Sequence, residues 1–224
     1  MPSKTSKIFG IGLARTGTTS LLQAFRIMGY NVCMRSLLFK LDEQIGQNTA
    51  GRALELVNKY NAFANSPWPS IFREIDAAVP NAKFILTSRD EIGWLTSMAT
   101  HMGASRPEFK WIYGCESIAG NEEIFLRKYR QHNQSVRDYF AERPDKLLDL
   151  DIKQLRWDSL CPFLAEPVPT VDFPLKNSSG SVREIMTRYA VPAAIGAAHV
   201  LNGARRTISR PLFRVARGEP GRKP

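Results

Sequence analysis

The 224-residue chain is 43% hydrophobic and 23% charged, enough to bury the core of one full α/β domain, which excludes a wholly disordered or fibrous protein. Its formal net charge of +10 is concentrated at one end: residues 183–224 hold nine Lys/Arg against two Asp/Glu, and the rest is nearly balanced. Cys33, Cys115 and Cys161 stand far apart with no CxxC pair, which argues against a disulfide framework or zinc site and suits a reducing, cytoplasmic setting.

Residues 7–13 (KIFGIGL) are a continuous apolar run. Lysines before it imitate a secretion signal, but the run is short, contains glycines and meets Arg15 rather than a cleavage site. It reads as a central parallel strand. The spacing of Leu21, Leu22, Phe25 and Met28 predicts a helix over 18–28, with Gly29 as its stop. Helices are also expected over 36–46 and 50–60. A short apolar stretch, Ala62 to Ala64, leads into Asn-Ser-Pro-Trp-Pro, where Pro69 suits the first turn of a helix over 69–78. After a turn at Pro80 and Asn81, residues 83–88 (KFILTS) form the second clear strand. A helix over 91–103 carries Trp94, Leu95 and Met98 on one face. A long helix over 121–141 stops before Pro144, residues 146–150 read as a strand, and 157–164 as a short helix. Pro162, Pro167, Pro169 and Pro174 mark an irregular segment.

Strands alternating with helices predict an α/β domain: a P-loop-type parallel sheet flanked by helices in three α/β/α layers, over residues 1–180. Residues 181–224 form a basic extension, partly helical with a disordered end (GEPGRKP). Its uncharged stretch 189–204 contains Pro192, His199 and Asn202 and falls short of the roughly 20 apolar residues of a spanning helix. Such a segment can lie on a membrane surface beside its arginines, so peripheral membrane contact through the extension is the expectation, and a specific nucleic-acid partner is not. Ligands of open parallel sheets bind outside the carboxyl ends of the strands. Arg15 and Arg89 both fall just past strand ends.

The loop GLARTGTTS, Gly12 to Ser20, has the glycine spacing of the nucleotide-binding pattern GxxxxGK[ST], with Thr19 at its hydroxyl position and Thr18 where lysine belongs. Its backbone N–H groups and the following helix N-terminus can still wrap an anion. Thr16, Thr18, Thr19 and Ser20 add hydroxyls, Gly17 allows close approach, and the cation has moved to Arg15. A phosphate-like ligand fits; an ordinary ATPase, which needs the missing lysine, does not. In FILTSRDEIGWLTSM, Arg89 closes a strand and Ser97 lies eight residues on, about two helical turns away. An arginine and a hydroxyl so arranged can grip one phosphate from two sides.

The loop resembles the 5′-phosphosulfate-binding loop of the P-loop sulfotransferases that use 3′-phosphoadenosine-5′-phosphosulfate (PAPS). That family's loop reads proline, a basic residue, Ser/Thr, glycine, threonine, threonine. Arg15, Thr16, Gly17, Thr18 and Thr19 match it, with Ala14 in place of proline. Arg89 and Ser97 resemble its 3′-phosphate motif. YRQHNQSVRDYF (129–140), LLDLD (147–151), WDSLCPFL (157–164) and FPLKN (173–177) extend the likeness over about residues 7–178. The resemblance implies sulfuryl transfer from PAPS, as co-substrate and with no metal required, to a hydroxyl or amine on a small molecule, glycan or lipid. It implies a catalytic role for Arg15, at the departing phosphate, and nucleotide contacts from Arg15, Thr16, Gly17, Thr18, Thr19, Ser20, Arg89 and Ser97.

One departure stands out. Related enzymes often carry Asp or His at the end of the strand before the arginine-bearing one; here Asn65 and Ser66 take that place, and neither is a base at neutral pH. Glu43 or His101 can be proposed instead, solvent can take the proton, or the protein is altered in function. His132 reads as structural, His199 as incidental, and Lys176 as a surface lysine. Trp68, Trp94, Trp111 and Trp157 read as core, with adenine stacking open to one of them. Two other readings remain: a P-loop small-molecule kinase or NTPase, with Asp149 or Asp151 as its metal carboxylate, and a catalytically altered anion-binding protein on the same fold.

Overall fold

Alternation along the strands sets the layering. In β1 (Ile8–Gly10), Ile8 enters one apolar layer and Phe9 the other, as the two-residue period requires of a strand covered on both faces. The structure, a computed structural model, describes residues 6–33, 49–102 and 106–175. The helix expected over 36–46, together with Glu43, Lys176, His199 and the basic extension 181–224, lies outside them.

Strands β1, β2 (Ala62–Phe63), β3 (Lys83–Ser88) and β4 (Leu147–Asp151) form one parallel sheet in the order β2-β1-β3-β4. Helices α1 (Thr18–Ile27) and α7 (Trp157–Leu164) cover one face, where Leu21, Phe25 and Leu160 pack with Ile8 and Ile85. Helices α2 (Thr49–Val57), α3 (Phe72–Ala78) and α6 (Glu122–Phe140) cover the other, where Ala53, Phe72, Val136 and Phe140 pack with Phe9, Phe63 and Phe84. Phe9 stacks on Phe63 at 4.6 Å and on Phe84 at 5.6 Å, linking three strands through ring contacts. The predicted three-layer α/β/α arrangement is the observed one. A further cluster forms between α6, α4 (Glu91–His101) and α5 (Pro107–Tyr113), from Trp94, Met98, Phe109, Tyr113, Phe125 and Tyr129, and it encloses Leu13 of the β1–α1 loop.

Several element boundaries differ from expectation for local reasons. Strand β1 leaves regular pairing after Gly10, although the Ile11 N–H still donates to the Ile85 carbonyl at 2.9 Å. Pro69 lies in a 3₁₀ turn, Trp68–Ser70, and α3 begins only at Phe72. Helix α5 was not anticipated. Helix α7 keeps the expected bounds, with Pro162 inside it. That helix stops at Ala165, which takes φ 52°, and the Glu166 N–H closes back onto the Cys161 carbonyl at 2.9 Å. Gly29 does end α1: its N–H meets the Arg26 carbonyl at 2.9 Å and the Tyr30 N–H meets that of Phe25 at 2.9 Å, the paired closure of a Schellman turn.

Topology fixes where a ligand can sit. From β1 the chain passes to β2 on one side and returns to β3 on the other. Such a reversal opens a crevice at the carboxyl ends of the two strands flanking it, here β1 and β3.

On the second face Asp76 of α3 is buried and holds the chain on either side of the α6–β4 turn. It accepts from Arg143 Nη1 at 2.5 Å, from Tyr139 Oη at 3.0 Å and from Lys146 Nζ. Burial alone would raise its pKa, but the hydrogen bonds from Lys146, Arg143 and Tyr139 outweigh it and hold the carboxyl below its ordinary value. Its folded-state pKa is therefore depressed, so its contribution is complete above the unfolded-state value, about 4, and fades as pH falls below it. Asp76→Asn is expected to lower stability by about 3 kcal/mol at neutral pH and to flatten the acid limb of a plot of denaturation midpoint against pH.

Candidate active site

The β1–α1 loop is shaped by hydroxyls turned inward. Thr16 is fully buried. Its Oγ1 donates to the Leu13 carbonyl at 2.7 Å and lies 2.9 Å from Thr87 Oγ1 of β3. The Thr16 side chain is thus spent on bracing the loop against the neighbouring strand. Gly12 has no room for a side chain: a Cβ there would lie 2.3 Å from Thr87 Oγ1 and 2.5 Å from the Thr87 carbonyl oxygen. Gly17 takes φ 90° immediately before α1, a conformation that favours glycine.

Past Gly17 the helix opens with its first N–H groups outside the helical hydrogen-bond ladder. The first helical bond runs from the Leu21 N–H to the Gly17 carbonyl at 3.0 Å, so the N–H groups of Thr18 and Thr19 have no helical partner. Among the described residues no side chain caps this turn, and its first turn holds no acidic residue. The positive end of the helix dipole is left uncompensated. Thr18 and Ser20 are buried and Thr19 is exposed.

Arg15 adopts φ 69°, left-handed backbone that costs a non-glycine residue about 1 kcal/mol or more. Its Nε donates to Ser97 Oγ of α4 at 3.0 Å. Burial lowers the Arg15 pKa from its ordinary value, and the positive charge of Arg89 lowers it further. The two arginines therefore share one electrostatic neighbourhood. Ser97, expected to act with Arg89 on a phosphate, here accepts from Arg15.

No carboxylate among the described residues pairs with either arginine. Asp90 and Glu91, the acids next to Arg89 in sequence, are engaged elsewhere. Asp90 caps α4 by accepting from the Gly93 N–H at 2.6 Å, and Glu91 binds Arg130 at 2.6 and 2.8 Å. The buried Arg89 Nε has no hydrogen-bond partner. A buried, unsatisfied donor of this kind is costly unless a ligand meets it.

Neighbouring side chains fix the backbone around these groups. The Tyr129 hydroxyl accepts from the Arg89 N–H at 2.8 Å and donates to the Arg89 carbonyl at 2.9 Å. The Trp94 indole N–H donates to the Ala14 carbonyl at 2.9 Å. His132 Nε2 lies 2.8 Å from the Ile11 carbonyl, which can only accept, so that nitrogen carries the proton. Burial holds His132 below the usual imidazole value, and Arg73 adds to this against the opposing bond to Ile11. It is a neutral structural donor, as the sequence implied. Trp94 reads from sequence as a core residue, and nothing local marks the backbone partners of Trp94 or Tyr129.

The remaining candidates differ in position and burial. Asn65 follows β2 with φ 70° and offers no titratable group. His101 is exposed at the end of α4, with Nδ1 3.1 Å from the Ser97 carbonyl. Trp68, Trp94 and Trp157 are buried, and Trp111 is half-buried. Asp149 is engaged by Arg137 at 2.6 Å, and Asp151 accepts from the Lys153 N–H at 2.8 Å. No helix among the described residues is long and apolar enough to cross a membrane.

Fold and loop together define a parallel α/β protein with an arginine-bearing, glycine- and threonine-rich turn between its first strand and helix. The family model for the sulfotransferase domain matches residues 7–119 and 108–182, so the chain belongs to the sulfotransferase domain family, whose chemistry is sulfuryl transfer. It is similar to Ava biosynthesis cluster protein M of Aspergillus versicolor, with 28% identity over 82% of this chain and 85% of that protein.

Gly12→Ala tests how tightly the loop is built. The added methyl must displace Thr87, and overpacking of this kind costs about 1–3 kcal/mol. A lowered thermal midpoint is expected; an unchanged one would mean that the loop yields without cost.

Proposed function

We propose that the protein transfers a sulfuryl group from PAPS to a hydroxyl or amine acceptor, a small molecule or the head of a glycan or lipid. The observation that carries this reading is the pair Arg15 and Arg89: two arginines on the loops that follow β1 and β3, the charge of one lowering the pKa of the other, neither paired with a carboxylate among the described residues. An uncompensated pair of cations beside an uncapped helix N-terminus favours a polyanion.

The residues fit the nucleotide in its two charged parts. Arg15 and the N–H groups of Thr18 and Thr19 would hold the phosphosulfate end, with Gly17 admitting it close to the backbone and Ser20 on the same turn. Arg89 and its unsatisfied Nε would hold the ribose 3′-phosphate, with Ser97 released from Arg15 to either anion. Thr16 contributes by holding the loop's shape. In the transfer, a bond forms between the acceptor oxygen or nitrogen and sulfur while the bond from sulfur to the phosphate oxygen breaks. Arg15 neutralises charge growing on that oxygen, as electrostatic preorganisation requires, and the acceptor proton passes to solvent, since Asn65 and Ser66 take none.

The kinase alternative has less support. Thr18 replaces the lysine it needs, Asp149 is already paired with Arg137, and Asp151 caps the turn that follows β4. Titration calorimetry separates the two: adenosine 3′,5′-bisphosphate should bind without magnesium, and ATP with magnesium should not bind better. Arg89→Ala should weaken the bisphosphate about ten-fold or more, the loss of a charge-assisted contact. Arg15→Ala should retain the native melting profile and reduce sulfuryl transfer by at least about a hundred-fold. Undiminished turnover in that variant would remove Arg15 from the chemistry.

A further inference from the structure

Strand β3 ends at Ser88, so Arg89 lies past the last rung of the sheet, where its backbone N–H and carbonyl need other partners. One atom meets both: the Tyr129 hydroxyl, at 2.8 and 2.9 Å. The Tyr129 ring stacks on Trp94 with centroids 4.3 Å apart and planes 20° apart, and the Trp94 indole holds the Ala14 carbonyl at 2.9 Å. Because a peptide is planar and trans, holding that carbonyl fixes the Arg15 N–H on the opposite side. A single aromatic pair therefore connects the backbone of both arginines. Burial raises the Tyr129 pKa, which keeps the hydroxyl protonated for its donor role.

We infer that Tyr129 is a positioning residue: its hydroxyl, braced by Trp94, holds Arg89 at a set separation from Arg15 so that both charged ends of one nucleotide are met together. The inference rests on the proposed sulfuryl transfer from PAPS. Packing alone does not account for the hydroxyl, since a phenylalanine ring would fill the same space in the cluster. The two cations repel each other, and an arginine freed at its backbone would swing away from its neighbour.

The test is a double-mutant cycle read by calorimetry with adenosine 3′,5′-bisphosphate. Tyr129→Phe keeps the stacked ring and should weaken binding about ten-fold through the loss of two backbone hydrogen bonds, with the nucleotide KM rising by more than kcat falls. In an Arg89→Ala background the same substitution should cost nothing further, because it acts through the guanidinium. Tyr113→Phe, a buried tyrosine of the same cluster, should leave affinity unchanged. Unchanged affinity in Tyr129→Phe, or equal costs in the two backgrounds, overturns the positioning role and leaves the PAPS reading intact. A wild-type protein with no affinity for the bisphosphate overturns both. If Tyr129→Phe does not fold, Trp94→Phe, which cuts the link at Ala14, runs the same cycle against Arg15→Ala with the same outcomes.

Discussion

Two like charges, with no carboxylate among the described residues paired to either, are the constraint around which this molecule is arranged. Burial, and after it the positive charge of Arg89, lowers the Arg15 pKa from its ordinary value. The acids that follow Arg89 in sequence and the one beside Ser88 in the sheet have other partners: Glu91 goes to Arg130, Asp90 to the Gly93 N–H, and Asp151 to the Lys153 N–H. Diverting carboxylates in this way keeps positive potential at the sheet edge. A folded chain tolerates such frustration where a ligand resolves it. The same logic covers the left-handed backbone at Arg15 and the unsatisfied Arg89 Nε, since both are local losses at one place.

The sheet order makes that place accessible. Because β1 has β2 on one side and β3 on the other, the chain departs in opposite directions from the two strands that bear the arginines. Helix α6 then reaches both: Tyr129 fastens Arg89 after β3 and His132 fastens Ile11 after β1, one turn apart. Far from this edge, the buried Asp76 with Arg143 and Lys146 ties α3 to the chain around the α6–β4 turn. Strain at one end of the sheet is thereby set on a scaffold fixed by packing and ion pairs at the other.

What could be read in the sequence was what depends on short-range spacing. Gly12, Arg15, Gly17 and Thr18 declare a loop within a few residues, and the continuous apolar runs of β1 and β3 declare buried strands. Family membership followed from the same residues. What escaped was tertiary. The two-residue strand β2 is shorter than any periodicity can mark, and its place before Asn65 came from the resemblance alone. That Thr16 turns inward depends on Thr87, 71 positions away, and that Ser97 meets Arg15 depends on a left-handed residue that no composition predicts. Helix α5 did carry local signals, Pro107 at its start and Gly114 with φ 83° at its end, the usual asymmetry of helix termini. A seven-residue helix between turns is too short for its apolar spacing to outweigh the surrounding polar residues.

The absence of a titratable group at Asn65 bears on how the proposed reaction divides its work. In a loose transition state the bond to the leaving oxygen is largely broken before the acceptor bond is strong, as for phosphoryl transfer. The acceptor then gathers little positive charge early, and a strong base beside it gains little. Charge accumulates on the departing phosphate, and there the groups that neutralise it act only as the transition state is reached. In the proposed reaction Arg15, the Thr18 and Thr19 N–H groups and the dipole of α1 serve that side, whereas the end of β2 carries the amide of Asn65 and the hydroxyl of Ser66. A site that concentrates its cations on the leaving group can leave the acceptor side free of titratable side chains, and that side is then open to be shaped by the size and polarity of the acceptor.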